Sequence, residues 1–180
     1  MLTTERLLLR PFVYQDKKSF ARLNQNPETM RYFPKPLTEV ESNLFLSSII
    51  EEYQILPIGL LAVIHQESGH FIGFIGLHQA SFESTFTPCI EIAWRFDAPY
   101  WHQGYATEAG AAIIEFARES TEIQEVFSFT ARINEPSIRL MKRLNMQFQQ
   151  VFDHPKISSD SPLCQHVLYK INTSSSKKSP

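Results

Sequence analysis

The chain has 180 residues, is 43% hydrophobic with 14 phenylalanines, and carries a formal net charge of -2. That is enough apolar material for one sizeable core, and too little charge to make nucleic acid or an anionic membrane surface an expected partner. No apolar run is long enough to span a bilayer, and the polar opening Thr3-Thr4-Glu5-Arg6 holds no signal-type apolar core, so a cytoplasmic protein is expected.

Leu7-Leu8-Leu9, ended by Pro11, reads as a first strand. Asp16 is placed to cap a helix that turns Phe20, Ala21 and Leu23 inward and ends at Asn26-Pro27. Pro34 and Pro36 mark a loop. Thr38 with Glu41 has capping-box spacing and predicts a second helix, with Val40, Leu44, Ile49 and Tyr53 on its buried side and Pro57 and Gly59 as its stop. Leu60 to His65 and Phe71 to His78 form a hairpin around Glu67-Ser68-Gly69. After a loop from Ser81 to Pro88 comes an alternating strand. It sets Ile90, Ile92, Trp94 and Phe96 on one face and Cys89, Glu91, Ala93 and Arg95 on the other.

A helix bearing Ala106, Ala109, Ala112, Ile113, Phe116 and Ala117 on one face follows the turn Asp97 to Gly104. Val126 to Ala131 is a strand. Asn134-Glu135-Pro136-Ser137 starts a helix with Asn134 as N-cap and Ile138, Met141 and Leu144 inward. Met146 to Phe152 and Leu163 to Ile171 make a last strand pair. The order β-α-α-β-β-β-α-β-α-β-β predicts a single α/β (α+β) domain around one sheet, residues 1–171, followed by a disordered Ser- and Lys-rich tail, residues 172–180. Cys89 and Cys164 lack metal-ligand spacing and read as reduced thiols, although spacing alone leaves one disulfide open. No His/Cys/Asp grouping has metal spacing, so no metal is expected.

The turn before Ala106 carries the chemistry. A strand runs into a glycine turn, which opens a helix of small residues. The first N–H groups of a helix lack internal partners and carry partial positive charge, so this arrangement suits a phosphate. There is no Gly-Lys-Ser/Thr ending as in a Walker loop. Gly104 and Gly110 alone do not make a dinucleotide fingerprint. By itself the turn is compatible with phosphate binding or with an ordinary strand-to-helix connection.

Three separated motifs resemble the GNAT superfamily of acyl-CoA-dependent N-acetyltransferases, and within it the ribosomal-protein N-terminal acetyltransferases. They are Thr4-Glu5-Arg6-Leu7-Leu8-Leu9-Arg10-Pro11, Tyr100-Trp101-x-x-Gly104-Tyr105-Ala106-Thr107-Glu108-Ala109, and Asn134-x-x-Ser137-x-x-Leu140-Met141. Gln103 stands where a lysine is frequent, and Leu144-Asn145-Met146 replaces Leu-Gly-Phe. Asn145 still suits a left-handed helix cap.

The resemblance implies a mixed, mostly antiparallel sheet flanked by helices. It implies a splay between the strands at about residues 90–97 and 126–131, where the pantetheine arm of acetyl-CoA pairs like a surrogate strand. Backbone N–H groups of Gln103, Gly104, Tyr105, Ala106 and Thr107 would hold the pyrophosphate. The backbone at Trp94 and Phe96 would hold the thioester end, with the Trp94 N–H steadying the oxyanion. Asn134 would bond pantetheine or order its turn. Arg139 and Lys142 either approach the phosphates or form a solvated face.

Glu91, an acid in an apolar strand, is either the base that takes the proton of a primary amine or the partner of Arg95 or another cation. Ser137 is either the acid for the leaving thiolate or a helix-start residue. His78 is a reserve base, His102 lies in the phosphate turn, and His65 reads as hairpin surface. The implied activity is acetyl transfer from acetyl-CoA to a protein N-terminal α-amine or a small-molecule amine, by a monomer or homodimer. A non-catalytic acyl-CoA-binding regulatory module on the same fold is the alternative. Tyr32, Phe33, Phe82 and Phe86 either line an acceptor groove or pack in the core.

Overall fold

The computed structural model describes residues 1–55 and 59–174. Its strands are β1 (Leu2–Thr3), β2 (Leu7–Arg10), β3 (Leu60–His65), β4 (Phe71–Ala80), β5 (Cys89–Phe96), β6 (Glu125–Ala131), β7 (Gln147–Asp153) and β8 (Gln165–Asn172). Its α-helices are α1 (Lys17–Gln25), α2 (Glu39–Ile55), α3 (Tyr105–Ser120) and α4 (Glu135–Arg143). The strands form one sheet in the order β1-β2-β3-β4-β5-β6-β8-β7. Every pairing is antiparallel except β5 with β6, which is parallel and holds at one register pair, Glu91 opposite Phe127. Beyond that pair the two strands part.

Two apolar layers cover the sheet. Leu61, Val63, Ile75, Leu77, Ile92 and Phe96 pack with α3 and α4. Leu60, Ala62, Phe71 and Phe74 pack with Phe20 and Leu23 of α1 and Leu46 and Ile49 of α2. Cover on both faces explains why the β3 and β4 sequences are nearly continuous apolar runs rather than alternating ones. In β4 the alternation slips once. Val63 pairs with Gly73 and Ile64 with Phe71, which leaves Ile72 as an extra residue. Gly73 has φ 151° there, and a Cβ on it would meet the Arg95 carbonyl oxygen at 2.3 Å. This bulge turns Phe74 to the α1–α2 face, opposite Arg95 of β5.

Several local expectations are corrected. Val40 and Leu44 are 68% and 67% exposed, while Ser42, Leu46 and Ile49 are buried. The phase of α2 is set by a polar seam, in which Asn24 Nδ2 donates to Ser42 Oγ at 2.9 Å, and not by its first apolar residue. The Thr38–Glu41 capping box forms in both directions, at 3.2 and 2.7 Å. Pro57, expected to stop α2, lies outside the described residues.

Asp16 sits at the α1 N-cap position but makes no cap bond. Its carboxylate accepts two bonds from Arg10, both 2.7 Å, and one from the Val13 N–H. Asn145 takes φ 59°, the left-handed cap expected of it. β1 was not foreseen. At the other end β8 and the described chain continue past residue 171. Asn172 closes β8, and Thr173 is buried with its N–H on the Gln124 carbonyl. Residues 175–180 of the expected tail lie outside the described residues.

Gly73→Ala should lower stability by about 1–3 kcal/mol, because the added methyl meets backbone and the torsion is unfavourable for an L side chain. Chemical denaturation checks this; a variant as stable as the parent would remove the bulge from the account.

Candidate active site

α3 begins at Gly104, whose φ of 84° places it in the left-handed region. Among the described residues no acceptor takes the N–H groups of Gln103, Gly104, Tyr105 or Ala106. Thr107 differs from expectation. Its N–H donates to the Gly104 carbonyl at 3.0 Å, alongside that of Glu108, so it is used within the first turn. The free amides form a donor set at a positive helix end.

The first motif of the chain braces this turn. Glu108 accepts from Thr4 Oγ1 at 2.6 Å, from the Arg6 N–H at 2.9 Å and from Arg6 Nε at 2.7 Å. Arg6 Nη1 reaches the Gln103 carbonyl at 3.0 Å, and its Cζ lies 4.5 Å from the Tyr105 ring centre. Burial opposes ionisation of Glu108, but the bonds from Thr4 and Arg6 outweigh it and hold the carboxyl below its ordinary range. Trp101 closes the turn from the other side, with Nε1 on the Phe96 carbonyl at 2.7 Å. His65, expected at the surface, is within 3.1 Å of the Tyr105 hydroxyl.

The Asp97 N–H donates to the Ile72 carbonyl. By the two-residue alternation of an antiparallel ladder, the N–H and C=O groups of Ile92, Trp94 and Phe96 then point away from β4, toward the parting from β6. Trp94 therefore offers backbone to the cleft as expected. Phe96 offers less, because its carbonyl is already taken by Trp101.

Across the cleft stands the start of α4. Asn134 is its N-cap, with Oδ1 accepting the Ser137 N–H at 3.3 Å. Asn134 Nδ2 donates to Thr130 Oγ1 at 2.8 Å and to Ser137 Oγ at 3.1 Å, so its side chain orders the turn. Trp94 Nε1 donates to the same Ser137 Oγ at 3.2 Å. Two donors occupy the Ser137 lone pairs and leave its hydrogen free to be given away. The Trp94 side chain thus ties β5 to α4. Arg139 pairs with Glu135 on the helix surface.

Glu91 is buried on the opposite face of β5. Its partner is His78, directly across the β4–β5 ladder with Nε2 3.0 Å from Oε2, and not Arg95. Burial raises the Glu91 carboxyl above its ordinary value, and His78 offsets this only in part. Burial also works against a charged His78, but the hydrogen bond and charge of Glu91 outweigh it and raise the imidazole. The pair therefore holds a proton more tightly than either group alone in water. Sequence reasoning found both residues but not their pairing, which depends on hairpin register.

On this face Phe82 and Phe86 of the loop pack against Phe129 and Phe152, with His154 4.7 Å from Phe82 between ring centres. Tyr32 stacks under Arg31, and Phe33 lies over Arg95. Cys89 and Cys164 are free and buried. Among the described residues no cluster of three or more metal-ligating side chains occurs, and no helix is long and apolar enough to cross a membrane.

The family model for an acetyltransferase (GNAT) domain matches residues 6–147. The chain belongs to the GNAT acetyltransferase family. Its relatives include the uncharacterized N-acetyltransferase YnaD of Bacillus subtilis, 28% identical over 84% of this chain and 85% of that one. Among solved structures, the GNAT fold here is similar to RimL, a ribosomal L7/L12 alpha-N-protein acetyltransferase in complex with coenzyme A. The TM-score is 0.78 at 14% identity, over 96% of RimL and 95% of this chain. It is likewise similar to yncA of Salmonella typhimurium with its cofactor acetyl-CoA, with TM-score 0.74 and 13% identity over 98% of both chains. The reaction supported by membership in this GNAT family is acetyl transfer from acetyl-CoA.

The raised His78 stabilises the fold below its unfolded pKa of about 6.5, and that contribution is lost as pH rises through its folded value. The raised Glu91 makes the buried carboxylate increasingly costly above its unfolded value of about 4.5. Stability relative to Glu91→Gln should therefore decline as pH rises above about 4.5, and further above about 6.5 as the His78 contribution is lost. Denaturant titrations across that range check it; parallel curves for the two proteins would rule out the shared proton.

Proposed function

We propose that this GNAT protein acetylates a primary amine by direct attack on acetyl-CoA. The buried Glu91–His78 pair, standing where β5 and β6 part, is the observation that carries the reading. In this reading the N–H groups of Gln103, Gly104, Tyr105 and Ala106 hold the pyrophosphate, with Thr107 shaping the turn through its bond to Gly104. The pantetheine arm lies between β5 and β6 along Trp94. The Trp94 N–H is the donor for the thioester oxygen as it gains charge.

The amine must be neutral to attack. Glu91, coupled to His78, accepts its proton as the N–C bond forms. The C–S bond then breaks, and the departing sulfur takes the hydrogen of Ser137 Oγ, which solvent restores. The two bonds from Trp94 and Asn134 support that role, because they favour the hydroxyl oxygen as it acquires negative charge.

A thiol-release assay with acetyl-CoA and a panel of amines and N-terminal peptides tests the activity. Micromolar coenzyme A binding without turnover of any acceptor would favour the regulatory acyl-CoA-binding module instead. Gly104→Val places a branched side chain at φ 84° beside the free amides and should weaken coenzyme A at least ~100-fold by calorimetry. Wild-type affinity in that variant would remove the turn as the pyrophosphate site. Glu91→Gln should lower kcat/KM by about 10²–10⁴, most strongly below the amine's own pKa, with coenzyme A affinity kept. An unchanged pH–rate profile would exclude Glu91 as the base.

A further inference from the structure

Among the described residues, Arg95 is a cation without a paired carboxylate. It stands on the same face of β5 as Glu91, four residues on, which is about 13 Å along a strand. The rings of Phe33 and Phe74 lie over its Cζ at 4.2 and 5.3 Å. Nη1 donates to Asn24 Oδ1. Nε is buried with no hydrogen-bond partner, and Nη2 has none among the described residues. The nearby carboxylates are engaged elsewhere, Glu91 with His78 and Asp97 with Arg22.

Enclosing an unpaired guanidinium is costly, and burial has pushed Arg95 down to about 10. A purely structural role accounts for the Asn24 bond and the two stacked rings. It leaves the Nε–Nη2 edge unexplained. That edge of a planar guanidinium takes a carboxylate through two parallel N–H···O bonds. Asn24 and the two rings hold the plane of the fork in place, so little ordering is left for a ligand to impose.

We propose that Arg95 is the anion subsite of the acceptor pocket, and that the acceptor is a small primary amine bearing a carboxylate, of the amino-acid class. The proposal rests on the acetyl-transfer reading of the Glu91 face. A carboxylate within a strand's short span of the reacting nitrogen belongs to an amino acid or a very short peptide. The same guanidinium repels cationic acceptors such as polyamines.

The test compares amino acids with their amides. Glycine, phenylalanine and glutamate are each assayed against the matching α-amide, glycinamide, phenylalaninamide and isoglutamine, in the thiol-release assay. Carboxylate acceptors should have kcat/KM about 30-fold above their amides, carried by KM. Arg95→Met should bring that ratio to about one while coenzyme A affinity is retained, and Arg95→Lys should give an intermediate ratio. Calorimetry of N-acetylphenylalanine against N-acetylphenylalaninamide, on the protein loaded with coenzyme A, reads the same contact without turnover. Failure of acetyl transfer with every amine, beside selective binding of N-acetylphenylalanine, would count against the catalytic reading and leave the subsite standing. Equal use and equal binding of acid and amide, or no binding of either N-acetyl probe, would overturn the subsite.

Discussion

β5 and β6 touch at one register pair and then separate, and most of the site depends on that parting. A sheet that remained closed would spend the Trp94 N–H and C=O on a neighbouring strand. Because β6 leaves, those groups face open space, and the turns after both strands are carried apart. The turn after β5 becomes the start of α3, with its free amides, and the turn after β6 becomes the start of α4, with Ser137. The gap is bridged on the α3–α4 side by a side-chain bond, Trp94 Nε1 to Ser137 Oγ. This bond and the one from Asn134 Nδ2 together orient the Ser137 hydroxyl.

The phosphate turn is held by a brace from far away in the chain. Thr4 and Arg6 bind Glu108, and Arg6 also reaches the Gln103 carbonyl. The acid sits in the first turn of α3, where the helix dipole favours it, and the cation sits beside the turn without consuming the free amides. The paired charges thus stiffen the turn and leave its donors available. On the other face, β5 sets three different chemistries in a row: Glu91 paired with His78, the small Ala93, and Arg95 stacked between Phe33 and Phe74. The bulge at Gly73 contributes here, since it brings Phe74 beneath the guanidinium.

Much of the fold was legible because its signals are local. The hairpin at Glu67-Ser68-Gly69, the alternation of β5 and the Thr38–Glu41 box each lie within a few residues. The errors came where a distant partner decided a local choice. The phase of α2 follows Ser42, because Asn24 of α1 needs that hydroxyl. Asp16 leaves its cap position unused, because Arg10 offers it two bonds. Thr107 is the local exception, because its amide is used by the tight first turn that Gly104 opens.

The sequence by itself determined the strand–turn–helix around Gly104, the N-cap at Asn134 and the alternating face that carries Glu91, since each is a property of neighbouring residues and backbone torsions. Tertiary structure decided which side chains meet. His78 is opposite Glu91 only through the β4–β5 register, Ser137 receives the Trp94 indole only because the sheet parts, and the two acids flanking Arg95 on β5, Glu91 and Asp97, pair with His78 and Arg22 instead. Strand register and helix docking are collective results of burying both faces of the sheet, and no single stretch of chain encodes them.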